Sequence, residues 1–133
     1  MTEEQKIKNI EYWRQGCLGD LQAAIDIACL AKKNAHALFF LHLSIEKGLK
    51  ALFVQNMSQF APLTHNLLML AQKAGVNIEL PDSQLLSDIN EFNLATRYPN
   101  EIEEIQKIAT DEFTSKFLAE GQRIQLWILA QLK

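Results

Sequence analysis

The stretch from Ala35 to Val54 is apolar on nearly every side, yet it carries Glu46, Lys47 and Lys50. A helix that is greasy all round belongs in a core or an interface. Charges inside such a helix need a partner or a wet groove. The run Ser44-Ile45-Glu46-Lys47-Gly48-Leu49-Lys50-Ala51-Leu52 is therefore a candidate for function as well as for fold. His36, His42 and the three charges also interrupt the block, so no uncharged span is long enough to cross a bilayer, and no membrane role is expected.

The chain has 133 residues, a length that suits one domain, 1–133, with one core. Its 5 Gly and 3 Pro are few, which favours long helices over a many-stranded sandwich. Ile7, Ile10, Trp13, Cys17, Leu21, Ala24, Ala28 and Ala31 recur at spacings of three and four, one stripe of a helix from Glu3 to Lys33. Gly16 and Gly19 within it point to a kink or a close helix contact. Asn34 is placed to cap the second helix, which runs to Asn56. After a connector, Thr64 is the expected cap of a short third helix that ends at Gly75. Pro81-Asp82 or Ser83 opens a fourth, with Leu85, Leu86, Ile89, Phe92 and Ala95 facing the core. Arg97-Tyr98-Pro99 breaks the pattern, because the residue before a proline is pushed out of the helical region. Glu101 to Ile108 reads as a short helix or a docked loop. Thr110 opens a last helix to Gln131, whose core side is Phe113, Phe117, Ile124, Trp127 and Ile128. The expected fold is all-α, an up-and-down bundle of four to five helices.

The formal net charge is −3, so no chain-wide attraction draws the protein to a phosphate backbone. Cys17 and Cys29 stand about 18 Å apart along one straight helix, out of disulfide reach. Both read as reduced core thiols. The opening Met-Thr-Glu-Glu-Gln-Lys lacks the basic-then-apolar pattern of a secretory leader. The expected location is the cytoplasm.

His42 and Glu46 stand four apart and can share a helix face, but no Glu-x-x-His occurs, so neither a metal nor another cofactor is expected. There is no Gly-rich phosphate loop and no Gly-x-Ser-x-Gly turn, and no residue is assigned as catalytic. Glu46 and Lys50 form an i, i+4 pair with two readings: a surface ion pair, or a buried Glu that orients an Arg from another helix. Gly48 beside them would let another helix approach closely. Thr64-His65 reads as a cap with a half-exposed His, or as a His beside a bound anion. Asn93 and Arg97 would share one helix face. There Arg97 is either a cation that complements the helix dipole or a receiver of phosphate or carboxylate.

Four pieces in order carry a resemblance over most of the chain. They are Trp13 with Asp20-Leu21, then Ile45 to Leu52, then Thr64-His65-Asn66-Leu67, then Arg97-Tyr98-Pro99. Together they resemble the HEPN domain family. The resemblance implies a compact helical bundle, dimeric through its helices, and a minimal nucleotidyltransferase as partner in a toxin–antitoxin-like pair. Many HEPN domains are metal-independent ribonucleases marked by an Arg followed by about four to six residues and then a His; the Arg stabilises phosphate charge and the His moves a proton. Here the positions for that His hold Ile102, Glu103 and Glu104, and no His follows His65. The sequence looks like the branch that binds a nucleotide, an RNA or a partner without cutting. Arg97, Asn93 and Glu46 would line its groove, joined by His65 and Lys50. The alternatives are a ribonuclease toxin using Arg97 with His65 as a displaced base, and a purely structural subunit.

Overall fold

The computed structural model describes residues 1–133. It is all-helical, with six helices and no strand. These are α1 (Glu3–Asp26), α2 (Asn34–Met57), α3 (Leu67–Lys73), α4 (Asp82–Asn90), α5 (Pro99–Ile108) and α6 (Asp111–Leu129). The stretch left open between helix and loop is α5, started by Pro99 at its first turn. No helix is long and apolar enough to cross a membrane.

The centre of the bundle is α2, of whose residues 15 are buried, from Ala35 to Val54. On one side α1 runs antiparallel to it: Trp13 meets Lys50, Cys17 meets Ser44, and Asp20 meets Lys47. On the other side α6 runs parallel to it: Gly121 lies against Leu41 and Ile128 against Gly48. The chain therefore has to travel back between α2 and α6. The connector first brings it to His65 beside Glu46, α3 leads it forward again to Ala74 beside Asn56, and α4 and α5 then make the return to Asn34, so the third leg of the bundle is built of short helices. Asn56 Nδ2 donates to Ala74 O at one end of that leg, and Asn34 Nδ2 donates to Ala109 O at the other. Leu67, Leu70, Leu86, Ile89 and Phe92 carry the leg's apolar side into the core shared with α2 and α6.

Several local expectations shift. The first helix stops at Asp26, continues as one π-helical turn (Ile27–Ala31), and breaks at Lys32, whose φ of 56° is left-handed. Asn34 does not cap α2: it is already helical, and its amide is spent on Ala109 O and Asp111 Oδ1 instead. Thr64 does not cap α3 either. Asn66 does, accepting from Leu68 and Met69 N–H, while Thr64 Oγ1 accepts from Asn66 N–H. Ala95 and Trp127 are exposed, because α4 ends before Ala95 and Trp127 falls off the stripe that Ile124 and Ile128 keep. Cys17 is buried, but Cys29, in the π turn, is exposed. Ile7 is exposed as well, since α1 outruns the core at its start.

Two glycines sit where helices press together. A Cβ on Gly48 would lie 3.1 Å from both Cys17 Sγ of α1 and Ile128 Cγ2 of α6, as a close-approach residue should. A Cβ on Gly121 would overlap the Leu41 side chain, which is fully buried. Gly16 faces the Lys47 stem, whereas Gly19 faces open space, and α1 runs through both unbroken. Gly121→Ala should therefore destabilise the fold by about 1–3 kcal/mol despite the better helix propensity of Ala. A urea melt measures this, and Gly19→Ala is the control, expected to be neutral or stabilising.

Candidate functional site

The charged run of α2 is buried, not surface. Glu46 is 3% exposed and Lys50 5%. A carboxylate so placed needs cations or donors on both oxygens. Glu46 Oε2 accepts from Lys50 Nζ at 3.2 Å, and Oε1 accepts from His65 Nδ1 at 2.8 Å. The expected alternative, an Arg oriented by Glu46, is replaced by this His. The Lys50 ammonium also lies 5.0 Å over the Trp13 ring, so it is held between a carboxylate and an aromatic face. One turn towards the start of α2, Lys47 Nζ reaches Asp20 Oδ2 at 2.6 Å. Trp13 and Asp20 thus grip two of the three charges of α2 from α1.

His65 belongs to the connector before α3, yet α2 fixes it twice. Its side chain bonds Glu46, and its carbonyl accepts from His42 Nε2 at 3.0 Å. A carboxylate only accepts, so His65 Nδ1 carries a proton, and Nε2 has no hydrogen-bond partner within the chain. The same logic puts the His42 proton on Nε2. His42 Nδ1 then has no partner, and at 3.9 Å from Glu46 Oε1 it is too far for a hydrogen bond. Burial pushes the His42 pKa down, against the pull of the nearby Glu46 carboxylate, so the ring is neutral at pH 7.

The outer surface of this arrangement is a groove of about 310 Å³. His65 and Asn66 form one wall, and Asn90, Glu91, Asn93, Thr96 and Arg97 form the other. The walls are stitched together by Asn90, which donates to Asn66 Oδ1 at 3.3 Å and accepts from Leu67 N–H at 2.9 Å. Beyond α4 the chain is pinned by Phe92, whose ring packs edge-on against Phe117 of α6 at 5.1 Å. Asn93 then turns it, accepting from Ala95 N–H at 3.2 Å to start a 3₁₀ turn over Leu94–Thr96. Asn93 and Arg97 therefore do not share a helix face, as the i, i+4 spacing suggested. They meet at the groove because the chain turns there.

Both terminal nitrogens of Arg97 are engaged, whereas its buried Nε has no partner. Nη2 reaches Glu91 Oε2 at 2.9 Å and Asn90 O at 3.4 Å, and Nη1 reaches Glu101 Oε2 at 3.4 Å. Of the residues singled out by sequence, His65, Asn93 and Arg97 lie on the groove. Glu46 and Lys50 do not line it. Glu46 stands behind His65, and Lys50 lies on the far side of Glu46, towards Trp13. Asn90, Glu91, Thr96 and Glu101 were not among the site residues read from the sequence, and Asn66 entered only through the resemblance. For Glu101 a signal existed: it stands three residues after Tyr98, and its Oε1 accepts the Tyr98 N–H at 3.0 Å, half of a capping box. Asn90 offered none.

No cluster of three His, Cys, Asp or Glu side chains is arranged to hold a metal ion. A second recess, about 220 Å³ between α4 and α6, is crossed by the Arg123–Asp82 bridge at 2.7 Å and holds none of the sequence-identified residues. Compared with known families, residues 10–130 match the model described as HEPN domain. No curated protein and no solved structure matches the chain.

Glu46→Ala would strand the buried Lys50 ammonium and should cost about 3–5 kcal/mol in a denaturation experiment. The unfolded chain takes up a proton on His42 near pH 6.5, whereas the folded chain resists it. The His42 contribution to stability is therefore complete above that pH and lost progressively as the pH falls below it. His42→Gln, which keeps a donor for the His65 carbonyl, should flatten the loss of stability between about pH 7 and 5. Melting temperatures across that range measure the difference.

Proposed function

The chain belongs to the HEPN domain family, and from that premise we propose that it is a single-domain, non-catalytic binding module. In this reading it forms a homodimer and pairs with a minimal nucleotidyltransferase in a toxin–antitoxin-like couple. The groove of His65, Asn93 and Arg97 receives a nucleotide there.

The observation that carries this reading is the meeting of Arg97 and His65 on one groove that no apolar side chain lines. Protein partners are gripped mainly by apolar and aromatic anchors in desolvated pockets. A recess of guanidinium, imidazole and amides suits the charge and hydrogen-bonding edges of a nucleotide better. The partner protein would then dock elsewhere, and the dimer expectation rests on the family's habit of pairing helices. The non-catalytic part rests on the sequence: Ile102, Glu103 and Glu104 stand where the family ribonucleases carry their His.

One observation favours a second reading, a ribonuclease with a displaced base. His65 is backed by a buried carboxylate at 2.8 Å and leaves Nε2 free on the groove that holds Arg97. An imidazole so oriented can take a proton from a ribose hydroxyl while the guanidinium stabilises charge on the phosphate.

Calorimetry with ATP separates these readings. Arg97→Ala should weaken ATP binding about tenfold or more, well beyond what the modest loss of melting temperature from its contacts with Glu91, Glu101 and Asn90 would explain. Co-expression with a minimal nucleotidyltransferase encoded beside it should yield a complex that co-purifies. A strictly monomeric protein that binds no ATP rejects the binding module. RNA cleavage in the presence of a chelator, lost in both Arg97→Ala and His65→Ala, replaces it with the ribonuclease.

A further inference from the structure

The two carboxylates on Arg97 are not equivalent. Glu101 belongs to the first turn of α5, where the helix dipole favours an acid, and its other oxygen holds the Tyr98 N–H. It is fastened by the fold. Glu91 stands at the opposite kind of position, the C-terminal cap of α4, where the last carbonyls disfavour a negative charge. Its side chain is 67% exposed, and Arg97 is its one side-chain partner, at 2.9 Å. Glu91 also lines the groove, so its carboxylate occupies the face of Arg97 that a ligand would approach.

We propose that Glu91 is a displaceable counter-ion that keeps Arg97 occupied until a phosphate group takes its place. The inference rests on the reading of this groove as a nucleotide site, and it names the phosphate as the part recognised there. At rest, two carboxylates on one guanidinium leave the local charge at minus one, so weak anions are turned away. A phosphate brings more charge and more acceptor oxygens than a single carboxylate and can take the Nη2 face that Glu91 gives up, with Glu101 keeping its place on Nη1. Releasing Glu91 breaks one exposed contact, whereas releasing Glu101 would also undo the start of α5. The groove therefore opens on the Glu91 side.

Full-length protein is titrated with ATP, and with adenosine as the phosphate-free control, for wild type, E91Q, R97A and the double variant. Glu91 is surface-exposed, so E91Q folds, and its melting temperature checks this. E91Q should bind ATP about three- to tenfold more tightly than wild type, with the gain shrinking at high salt. The gain should vanish in the double variant, and adenosine should not register it. ATP binding by E91Q that is equal to or weaker than wild type, while R97A still weakens binding, overturns the counter-ion role and leaves the nucleotide reading standing. A gain that survives in the double variant overturns it too, because Arg97 is then not the route. ATP binding by none of the four proteins rejects the nucleotide reading, and the counter-ion role with it.

Discussion

A carboxylate inside a helix with no wet side has to be answered from within the molecule, and much of this structure is arranged around the answer to Glu46. One oxygen is met by Lys50 from the same helix, the other by His65 from a connector that α2 would not otherwise control. The two replies draw on different neighbours. Lys50 is shared with Trp13 of α1, so the charge ties the two long helices together. His65 is followed at once by Asn66, which caps α3 and bonds Asn90, whose carbonyl touches Arg97. Hydrogen bonds, joined by the peptide link from His65 to Asn66, thus run from the middle of the core to the far wall of the groove.

This continuity explains why the groove residues come from such distant parts of the chain. His65 and Arg97 are separated by α3 and α4, yet both are positioned by contacts that lead back to the core. His65 reaches it through Glu46. Arg97 reaches it through the turn that Phe92 anchors against Phe117 and through the Asn90 carbonyl. The exposed side of the groove is polar because the apolar residues of the same segments, Leu67, Ile89 and Phe92, are turned inward. Packing and polarity are two faces of the same short helices.

The stripes of α1 and α6 and the all-round apolarity of α2 were readable in the sequence because long helices repeat one signal many times. Short elements give it too few repeats. Ala95 looked like the next turn of α4 because it continues the spacing of Phe92, but Phe92 is already in a turn, and its burial comes from stacking on α6. Caps failed for a related reason. Asn34 and Thr64 have the right chemistry, but a tertiary partner claimed the first, and a better-placed neighbour, Asn66, displaced the second. The charges of α2 were legible as needing partners. That the partner would be His65, and that Lys50 would turn towards Trp13 and away from the groove, depends on how α1 and the connector pack, which no local spacing records. Asp20 was singled out only as a mark of resemblance, and Trp13 as that and as part of the apolar stripe of α1. The structure gives them a physical task, holding Lys50 and Lys47.

The broken third leg has a consequence for how such a molecule breathes. Three long helices, α1, α2 and α6, make a frame with 24, 24 and 19 residues, while α3, α4 and α5 have 7, 9 and 10 and fewer internal hydrogen bonds each, the kind of segment that opens locally first. Most of the groove wall belongs to this leg or its connectors, and only the carboxylate behind His65 belongs to the frame. Local opening of the leg therefore dismantles the recess without unfolding the protein. On the proposed reading, a nucleotide in the groove would act as a clasp across that seam, slowing amide exchange in the short helices and leaving the frame as it was.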